Sequence, residues 1–309
     1  MKLKTKKLVS ALTLTALLTA ISPYVHSFEA TSKTVNVIIP FAPGGGVDQT
    51  FRHLQKYALE RGINLIAIYK PGADGIIAMN ELAKMPKDGF NITVTTAGVL
   101  AYAELKNPGQ ELTAITGIRD SIGAFVTHPN SPIKTLDDLE KSLKNGDNIK
   151  YGYGAPGQRM VLDQLFEMAK ASKEPIMVPY KGGGPVVNDL LGGHIDVAQV
   201  PFSIIKTHVD SGKVRLLALI RSRVDGYNVP LIENKYPKWK DFDGFAVATP
   251  KGADPDAVKF WSEFLKGYVN DKQVQKDFAT DLTIISTFGS KTLDDTVKRS
   301  KDQLSKMEK

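Results

Sequence analysis

The sequence predicts an α/β protein of two similar lobes, and two observations lead to this fold class. After residue 34 the chain repeats one unit: a short run rich in β-branched residues, a loop of glycine or other small residues, and an amphipathic segment of helical period. This alternation is typical of α/β folds with largely parallel sheets. The unit begins afresh near residues 130–132, which indicates a second lobe built like the first.

The first 27 residues have the pattern of a cleavable Sec-type signal peptide. Four lysines lie within the first seven residues, an uncharged stretch rich in Leu and Ala covers 8–22, and a small-residue cleavage site follows at 25–27. A membrane anchor is the weaker interpretation, because the stretch is shorter than the roughly twenty apolar residues that span a bilayer. We expect a mature chain exported to the periplasm.

In the remaining sequence, the predicted elements follow from residue periodicity. A helix over about 48–60 is expected to bury Phe51, Leu54 and Ala58 on one face. Thr135 with Asp138 resembles a capping box, and Asp254 before a proline predicts another helix start. Strands are expected over residues 35–39, 65–68, 92–95, 149–151, 176–178, 195–198, 214–219, 244–248 and 283–285. Of these, 214–219 is the most hydrophobic and is expected at the centre of a sheet.

Composition excludes several classes of function. The 309 residues are 42% hydrophobic and 24% charged, as in globular chains long enough for two domains. Cysteine is absent, which excludes disulfides, thiol nucleophiles, cysteine-ligated metals and lipidation of cysteine. Four of the seven net positive charges belong to the predicted signal peptide, which has no acidic residue, so a mature charge of +3 gives no indication of nucleic-acid binding.

Five loops of small residues precede predicted helices, at 43–46, 71–75, 95–98, 152–157 and 180–184. Each can present unpaired N–H groups at the positive end of a helix dipole, which is a ready site for an anion. A single loop of this kind is more often just a tight turn, but five in one chain favour a site. In open α/β sheets such a site lies outside the carboxyl ends of the strands.

The loop 152–157 also matches the GxGxxG fingerprint of dinucleotide-binding proteins. The acidic residue that should close the next strand is missing, since Glu174 precedes that strand. Free nucleotides are also not expected outside the cytoplasm. We therefore expect no nucleotide and no other cofactor.

Catalytic motifs are lacking in the sequence. GxSxG, Walker A and HExxH motifs are absent, and His53, His128, His194 and His208 have no metal-ligand spacing. Asp48 could cap the following helix or orient a bound water or ammonium group, and capping is the favoured role. We expect neither a metal nor an enzymatic activity.

Several segments carry motifs that occur, in the same order, in one known family. Residues 39–48 read IPFAPGGGVD, and residues 178–196 read VPYKGGGPVVNDLLGGHID. They resemble PFxPGGxxD and VPYKGGAPALTDLLGGQVD of the periplasmic solute-binding proteins of tripartite tricarboxylate transporters, the Bug family. Residues 70–75 are similar to NRPGAGG, 86–90 to PPDGYT and 213–218 to KLRALA. The resemblance extends over essentially the whole mature chain.

The resemblance implies a two-lobed Venus-flytrap fold of the periplasmic binding proteins, type II-like, with the ligand crevice between the lobes. Hinge strands would lie near 125–127 and 245–247, so that 28–125 and 245–309 form lobe 1 and 126–244 form lobe 2. The implied ligand is a small organic carboxylate, either a di- or tricarboxylate or an aromatic acid. The implied partners are the membrane permease subunits of the transporter, and we expect a monomer.

The family's ligand loops correspond to four segments of this chain. The expected ligand-binding residues are Phe41, Ala42, Pro43, Gly44, Gly45, Gly46, Asp48, Thr95, Thr96, Ala97, Gly154, Ala155, Pro156, Gly157, Gln158, Arg159, Tyr180, Lys181, Gly182 and Gln199. Arg159 could pair with a second carboxylate or be a solvated helix residue, and the two readings are equally favoured. The chain also departs from the family, because Gln199-Val200-Pro201 replaces an FDN-like segment.

Two other functions remain open from the sequence. A carboxylate sensor that acts with a membrane sensor kinase would have the same sequence features as a transport receptor. An exported hydrolase or isomerase is less favoured, because the sequence shows no assembled nucleophile or base.

Overall fold

The computed structural model describes residues 28–108, 112–240, 244–281, 283–284 and 290–307. The predicted signal peptide, 1–27, lies outside the described residues. Within those ranges, no helix combines the length and the apolar character needed to cross a bilayer. The described chain forms two β-sheets with helices packed against them, which confirms the predicted two-lobed α/β class.

The strands, in chain order, are β1 Val35–Ile39, β2 Leu65–Tyr69, β3 Asn91–Thr96, β4 Leu112–Ser121, β5 Gly123–Thr127, β6 Lys150–Tyr153, β7 Ile176–Pro179, β8 Val197–Pro201, β9 Arg215–Ile220, β10 Phe245–Pro250 and β11 Thr283–Ile284. The helices are α1 Gly46–Leu59, α2 Ile76–Lys84, α3 Ala97–Lys106, α4 Leu136–Asn145, α5 Pro156–Ala169, α6 Gly183–Leu191, α7 Phe202–Asp210, α8 Ile232–Lys235, α9 Pro255–Asn270, α10 Lys272–Thr280 and α11 Ser290–Met307. A short 3-10 turn, Ala73–Gly75, precedes α2.

Both sheets are mixed, whereas the strand and helix alternation predicts largely parallel ones. The first sheet has the order β11-β4-β10-β3-β1-β2, and the second has the order β7-β6-β8-β5-β9. Strand β1 is parallel to β2 and β3, and β6 is parallel to β7 and β8. The pairings made by β4, β5 and β10 are antiparallel.

The antiparallel strands are those at which the chain passes between the sheets. Strand β4 ends at Ser121 in the first sheet and β5 begins at Gly123 in the second, so one residue separates them. A strand that arrives directly from another sheet has no crossover helix, and the crossover helix is what makes successive strands parallel. Strand β10 brings the chain back to the first sheet. The exact lobe boundaries stay a prediction.

The prediction that 214–219 forms a central strand is wrong, because β9 is an edge strand of the second sheet. Its side chains from Leu216 to Ile220 are nevertheless buried. Ile232 of α8 belongs to the same apolar cluster as Leu217, and the N–H of Leu219 donates to the carbonyl of Pro230 at 3.0 Å. Helix α8 and the loop before it thus bury this edge of the sheet. The hydrophobic sequence of β9 therefore indicates that the strand is buried, and does not indicate its position in the sheet.

Several helix predictions are confirmed in detail. Helix α1 buries Phe51, Leu54 and Ala58. Helix α4 begins with the capping box at Thr135, and Asp254 caps α9. The buried apolar side chains form one cluster around the first sheet and two clusters against the second.

Gly89 connects the loop before β3 to helix α9. Its φ is +84°, and the indole nitrogen of Trp261 donates to its carbonyl at 2.9 Å. A Cβ built on Gly89 would lie 2.3 Å from the Cβ of Ala257. The position therefore requires glycine both for its backbone conformation and for the close approach of α9.

Replacing Gly89 with alanine should lower the free energy of unfolding by more than about 2 kcal/mol, because a clash with α9 adds to the left-handed backbone strain. Gly226 is a matched control: its φ is +86° and nothing lies within 4 Å of a built Cβ. Gly226→Ala should cost only about 1 kcal/mol of backbone strain. Urea denaturation of both variants checks this, and equal losses would contradict the packing argument.

Candidate functional site

The loop between β1 and α1 brings main-chain N–H groups to one side of a crevice. Helix α1 begins at Gly46, with Gly45 as its N-cap in an extended conformation. The N–H groups in the first turn of a helix have no acceptor inside the helix. They stand at the positive end of the helix dipole, so this end of α1 attracts an anion.

Asp48 holds this loop in place from within the helix. Its Oδ2 accepts hydrogen bonds from the N–H of Gly44 at 2.9 Å and from Nε of Arg52 at 3.0 Å, and its Oδ1 accepts from the Tyr69 hydroxyl at 2.5 Å. Burial raises the pKa of Asp48, but these three donors together bring the pKa below its usual value. The predicted capping role is wrong, because the carboxylate binds Gly44, one residue before the N-cap.

A buried arginine, Arg119, also holds the start of α1 in place. The Arg119 side chain has no exposed surface, and its Nη2 donates to the carbonyl of Gly46 at 3.0 Å. Its guanidinium carbon lies 4.7 Å from the centre of the Phe245 ring, a cation–π distance. Arg119 therefore positions both the start of α1 and an aromatic wall of the crevice.

The end of β3 contributes threonines to the first-lobe side. Thr96 is the N-cap of α3, and its Oγ1 accepts from the N–H of Val99 at 3.4 Å. The Thr93 hydroxyl donates to the carbonyl of Ile38 at 2.7 Å, which ties β3 to β1. The Thr95 hydroxyl is buried and forms no hydrogen bond with the described residues.

Two helix starts form the second-lobe side. Helix α5 begins at Pro156, and Oε1 of Gln158 accepts from the N–H of Gly154 at 2.6 Å. Helix α6 begins at Gly183 after Gly182, whose φ is +125°. The Tyr180 hydroxyl donates to Asp189 at 2.6 Å. Burial together with this bond raises the pKa of Tyr180.

The loops of the two lobes are in direct contact. The N–H of Ala42 donates to the carbonyl of Lys181 at 2.8 Å. A Cβ built on Gly45 would lie 3.3 Å from the nitrogen of Gly183, and one built on Gly98 would lie 2.9 Å from the nitrogen of Gly157. The lobes can approach this closely at Gly98 only because it is glycine, and a Cβ at Gly45 would push the facing main chain away by a few tenths of an ångström.

A small cavity of about 30 Å³ remains between the helix starts. Eight of the predicted site residues line it: Phe41, Gly45, Gly46, Thr96, Gly154, Ala155, Gly157 and Gln158. Four residues that were not predicted as ligand contacts line it too: Val47, Gly183, Pro201 and Phe245. Among the described residues that line this cavity, none is charged.

The other predicted site residues lie around this cavity. Tyr180 and Lys181 line a second cavity with Phe41. The Nε of Arg159 donates to both carboxylate oxygens of Asp163, at 3.0 and 2.8 Å. Gln199 is buried in β8. The remaining predicted residues, Ala42, Pro43, Gly44, Asp48, Thr95, Ala97, Pro156 and Gly182, flank the lining residues in the same loops and strand ends, and their contacts with a ligand stay a prediction.

Two of the residues that the sequence reading missed could have been found from signals already present. Pro201 lies in the segment that departs from the family's FDN-like pattern, at the junction of β8 and α7. Gly183 directly follows the predicted Gly182. Phe245 reads only as a strand residue in the sequence, and β10 carries its ring to the crevice wall through long-range pairing with β3.

The arrangement suits binding more than catalysis. No group of three or more His, Asp or Glu side chains in the described part of the chain could hold a metal ion. His53 lies on α1, outside both cavities, and its Nε2 is 2.5 Å from Oδ2 of Asp281. The polar side chains on the cavity wall are Thr96 and Gln158, which already hydrogen-bond to main-chain N–H groups. The site thus offers main-chain hydrogen-bond donors at the helix starts, together with an apolar surface formed by rings.

Two α/β lobes whose strand-to-helix loops close on one crevice define the class of periplasmic binding proteins. Residues 51–304 match the family described as the tripartite tricarboxylate transporter family receptor, TctC, and the chain belongs to this family. The chain is 28% identical over 263 residues to protein BugT of Bordetella pertussis, and the alignment covers 80% of each protein. This confirms the resemblance found in the sequence.

Solved structures agree with the fold. The periplasmic binding protein BugD is similar with a TM-score of 0.78 at 24% identity, over 89% of this chain and 96% of BugD. MatC from Rhodopseudomonas palustris, with bound malate, is similar with a TM-score of 0.77 at 18% identity, over 87% of this chain and 98% of MatC.

Replacing Asp48 with asparagine should destabilise the protein at pH 7 by about 1–3 kcal/mol, because a buried, hydrogen-bonded carboxylate is lost. The folded pKa of Asp48 lies below the roughly 3.9 of an unfolded chain. The stabilisation is therefore fully present above that pH and is lost as the pH falls through the folded pKa.

Urea unfolding at pH 7 and pH 3 should thus show a difference between wild type and Asp48→Asn that narrows at pH 3. Asp225→Asn, in an exposed turn, is the matched control and should change the free energy of unfolding by less than about 0.5 kcal/mol at either pH. A difference for Asp48→Asn that does not depend on pH would contradict this account.

Proposed function

We propose that this chain is a periplasmic receptor that binds a small organic carboxylate between its lobes and delivers it to the permease subunits of a tripartite tricarboxylate transporter. The observation that supports this most strongly is the convergence of helix starts from both lobes, α1 and α3 on one side and α5 and α6 on the other, on one cavity. The proposed ligands are di- or tricarboxylates or aromatic carboxylates.

Main-chain donors would hold the carboxylate. A hydrogen bond to a charged group contributes roughly 1.5–3 kcal/mol, so three or four such bonds suffice for a micromolar dissociation constant. Arg119 adds a buried positive charge behind Gly46 without lining the cavity. The rings of Phe41, Phe245 and Pro201 would pack against the carbon skeleton of the ligand.

Closure of the lobes would couple binding to transport. A ligand shifts the population toward the closed state only through contacts that both lobes make with it. The cavity wall contains residues from both lobes, so a bound ligand would bridge α1 and α5. A permease that distinguishes closed from open receptors could then select the loaded ones.

The remaining features of the proposal concern cellular context. The pattern of residues 1–27 supports export through a signal peptide. Membership in a solute-receptor family supports a role in binding without chemistry. The similarity to MatC, which was solved with malate, supports a carboxylate as the ligand. We propose that the mature protein acts as a monomer, without nucleic acid, metal or cofactor.

A thermal-shift screen of residues 28–309 against mono-, di- and tricarboxylates and aromatic acids tests the proposal. A ligand that binds the native state raises the melting temperature, by an amount that grows with ligand concentration. We expect a clear shift with one subset of carboxylates, confirmed by calorimetric titration with unchanged ligand recovered. A folded, ligand-free sample that responds to no carboxylate, or that consumes the bound one, would contradict the proposal.

Replacing Gly45 with leucine should abolish binding of any carboxylate found in this screen. The added side chain would meet the start of α6, since even a Cβ lies 3.3 Å from the nitrogen of Gly183. The φ of Gly45 is −91°, which leucine adopts without strain, so the fold should be kept. Gly45→Ala should weaken binding less. Unchanged affinity in Gly45→Leu, measured by calorimetry, would refute the main-chain binding site.

A further inference from the structure

A second and larger cavity, of about 280 Å³, lies between the lobes. The turn at residues 72–75 forms its first-lobe side, residues 179–181 form its second-lobe side, and Phe41 lines both this cavity and the smaller one. It has room for several water molecules or for the polar end of a small ligand.

The first-lobe side of this cavity has an unusual backbone. Ala73 and Asp74 have φ values of +46° and +52°, and both flanking glycines, Gly72 and Gly75, also have positive φ. Non-glycine residues in the left-handed backbone region are strained, and two in succession cost free energy that contacts with the surrounding structure must offset. Such strain is concentrated at functional sites. In the NRPGAGG motif that this turn resembles, glycine stands at the position of Asp74.

Asp74 lines this cavity, and its carboxylate has no partner among the described residues. It is partly buried, and it forms neither a hydrogen bond nor an ion pair within those residues. Aspartate often adopts the left-handed region by bonding to nearby main-chain N–H groups, but no such bond is present here. Burial raises the pKa of Asp74, as expected for a carboxylate that lacks a counter-ion.

Arg159, whose charge acts on Asp74, is bound to another carboxylate. Arg159 is close enough to favour the charged form of Asp74, but its Nε is bonded to both oxygens of Asp163. Lys181 lines the opposite side of the cavity and is exposed. The cavity therefore presents a negative group on one side and a positive group on the other.

We propose that this second cavity binds a protonated amine of the ligand, with Asp74 as its counter-ion. The inference rests on the proposed function and narrows it: the ligand is a carboxylate that also carries an ammonium group. Its carboxylate would bind at the helix starts, and its ammonium group would donate to Asp74. Lobe closure would then bury a compensated charge pair instead of a lone carboxylate.

Matched ligand pairs that differ only in the amine test the proposal. Calorimetric titrations at pH 7 would compare succinate with aspartate, glutarate with glutamate, and 3-phenylpropionate with phenylalanine. In at least one pair, we expect the wild-type protein to bind the amino member about tenfold or more tightly. Asp74→Asn should lose this preference while its affinity for the amine-free member changes by less than about twofold.

Two further variants separate the charge of Asp74 from folding. Asp74→Gly also removes the carboxylate but suits the left-handed backbone, so it should fold and show the same loss of preference. Asp225→Asn makes the same chemical change outside both cavities and should keep the wild-type preference. These arms show whether a lost preference comes from the missing charge or from a damaged fold.

Each outcome of the titrations separates this inference from the proposed function. The inference is overturned, and the carboxylate receptor stands, if amine-free carboxylates bind as tightly as their amino partners in every pair or if Asp74→Asn keeps the preference. The same holds if no member of any pair binds although another carboxylate of the wider screen does. If no member of any pair binds and the wider carboxylate screen is also negative, the proposed function fails, and the inference fails with it.

Discussion

The close approach of glycine loops from opposite lobes is the constraint on which the rest of this structure depends. Main-chain N–H groups are short donors, and they reach a shared ligand only where no side chain stands between the two main chains. Gly45 faces Gly183, and Gly98 faces Gly157. The parallel strands β1, β3, β6 and β7 all point their carboxyl ends at this place, so four helix starts converge there.

Charged side chains shape the crevice without lining the small cavity. Asp48 fixes the N–H of Gly44, and Arg119 fixes the carbonyl of Gly46 and the ring of Phe245. Both side chains are almost fully buried. In this arrangement, main-chain groups contact the ligand while the hydrogen bonds of Asp48 and Arg119 fix the direction of those groups. Because the donors are already ordered, binding loses less conformational entropy than it would with flexible donors.

Local sequence predicted the loops and helix starts because glycine punctuation, caps and apolar periodicity are local signals. The starts of α1, α5 and α6 and most of the cavity wall were accessible in this way. Sheet order was not, because β10 enters between β3 and β4 from more than a hundred residues away. The same long-range pairing brings Phe245 to the crevice. Because α8 and the loop before it bury the edge strand β9, its hydrophobic sequence was misread as that of a central strand. The role of Asp48 was also missed, since only the folded loop places Gly44 and Tyr69 beside it.

The hydrogen bond from Ala42 to Lys181 joins the lobes through main-chain atoms alone. No substitution can remove these two groups except replacement of the donor residue by proline, so this link persists whatever side chains evolve around the crevice. Separation of the two loops at this point exposes one main-chain donor and one main-chain acceptor, and water can bond to both. The bond therefore adds only about 0.5–1.5 kcal/mol to the contact between the lobes, which is small enough for a bound ligand to outweigh it.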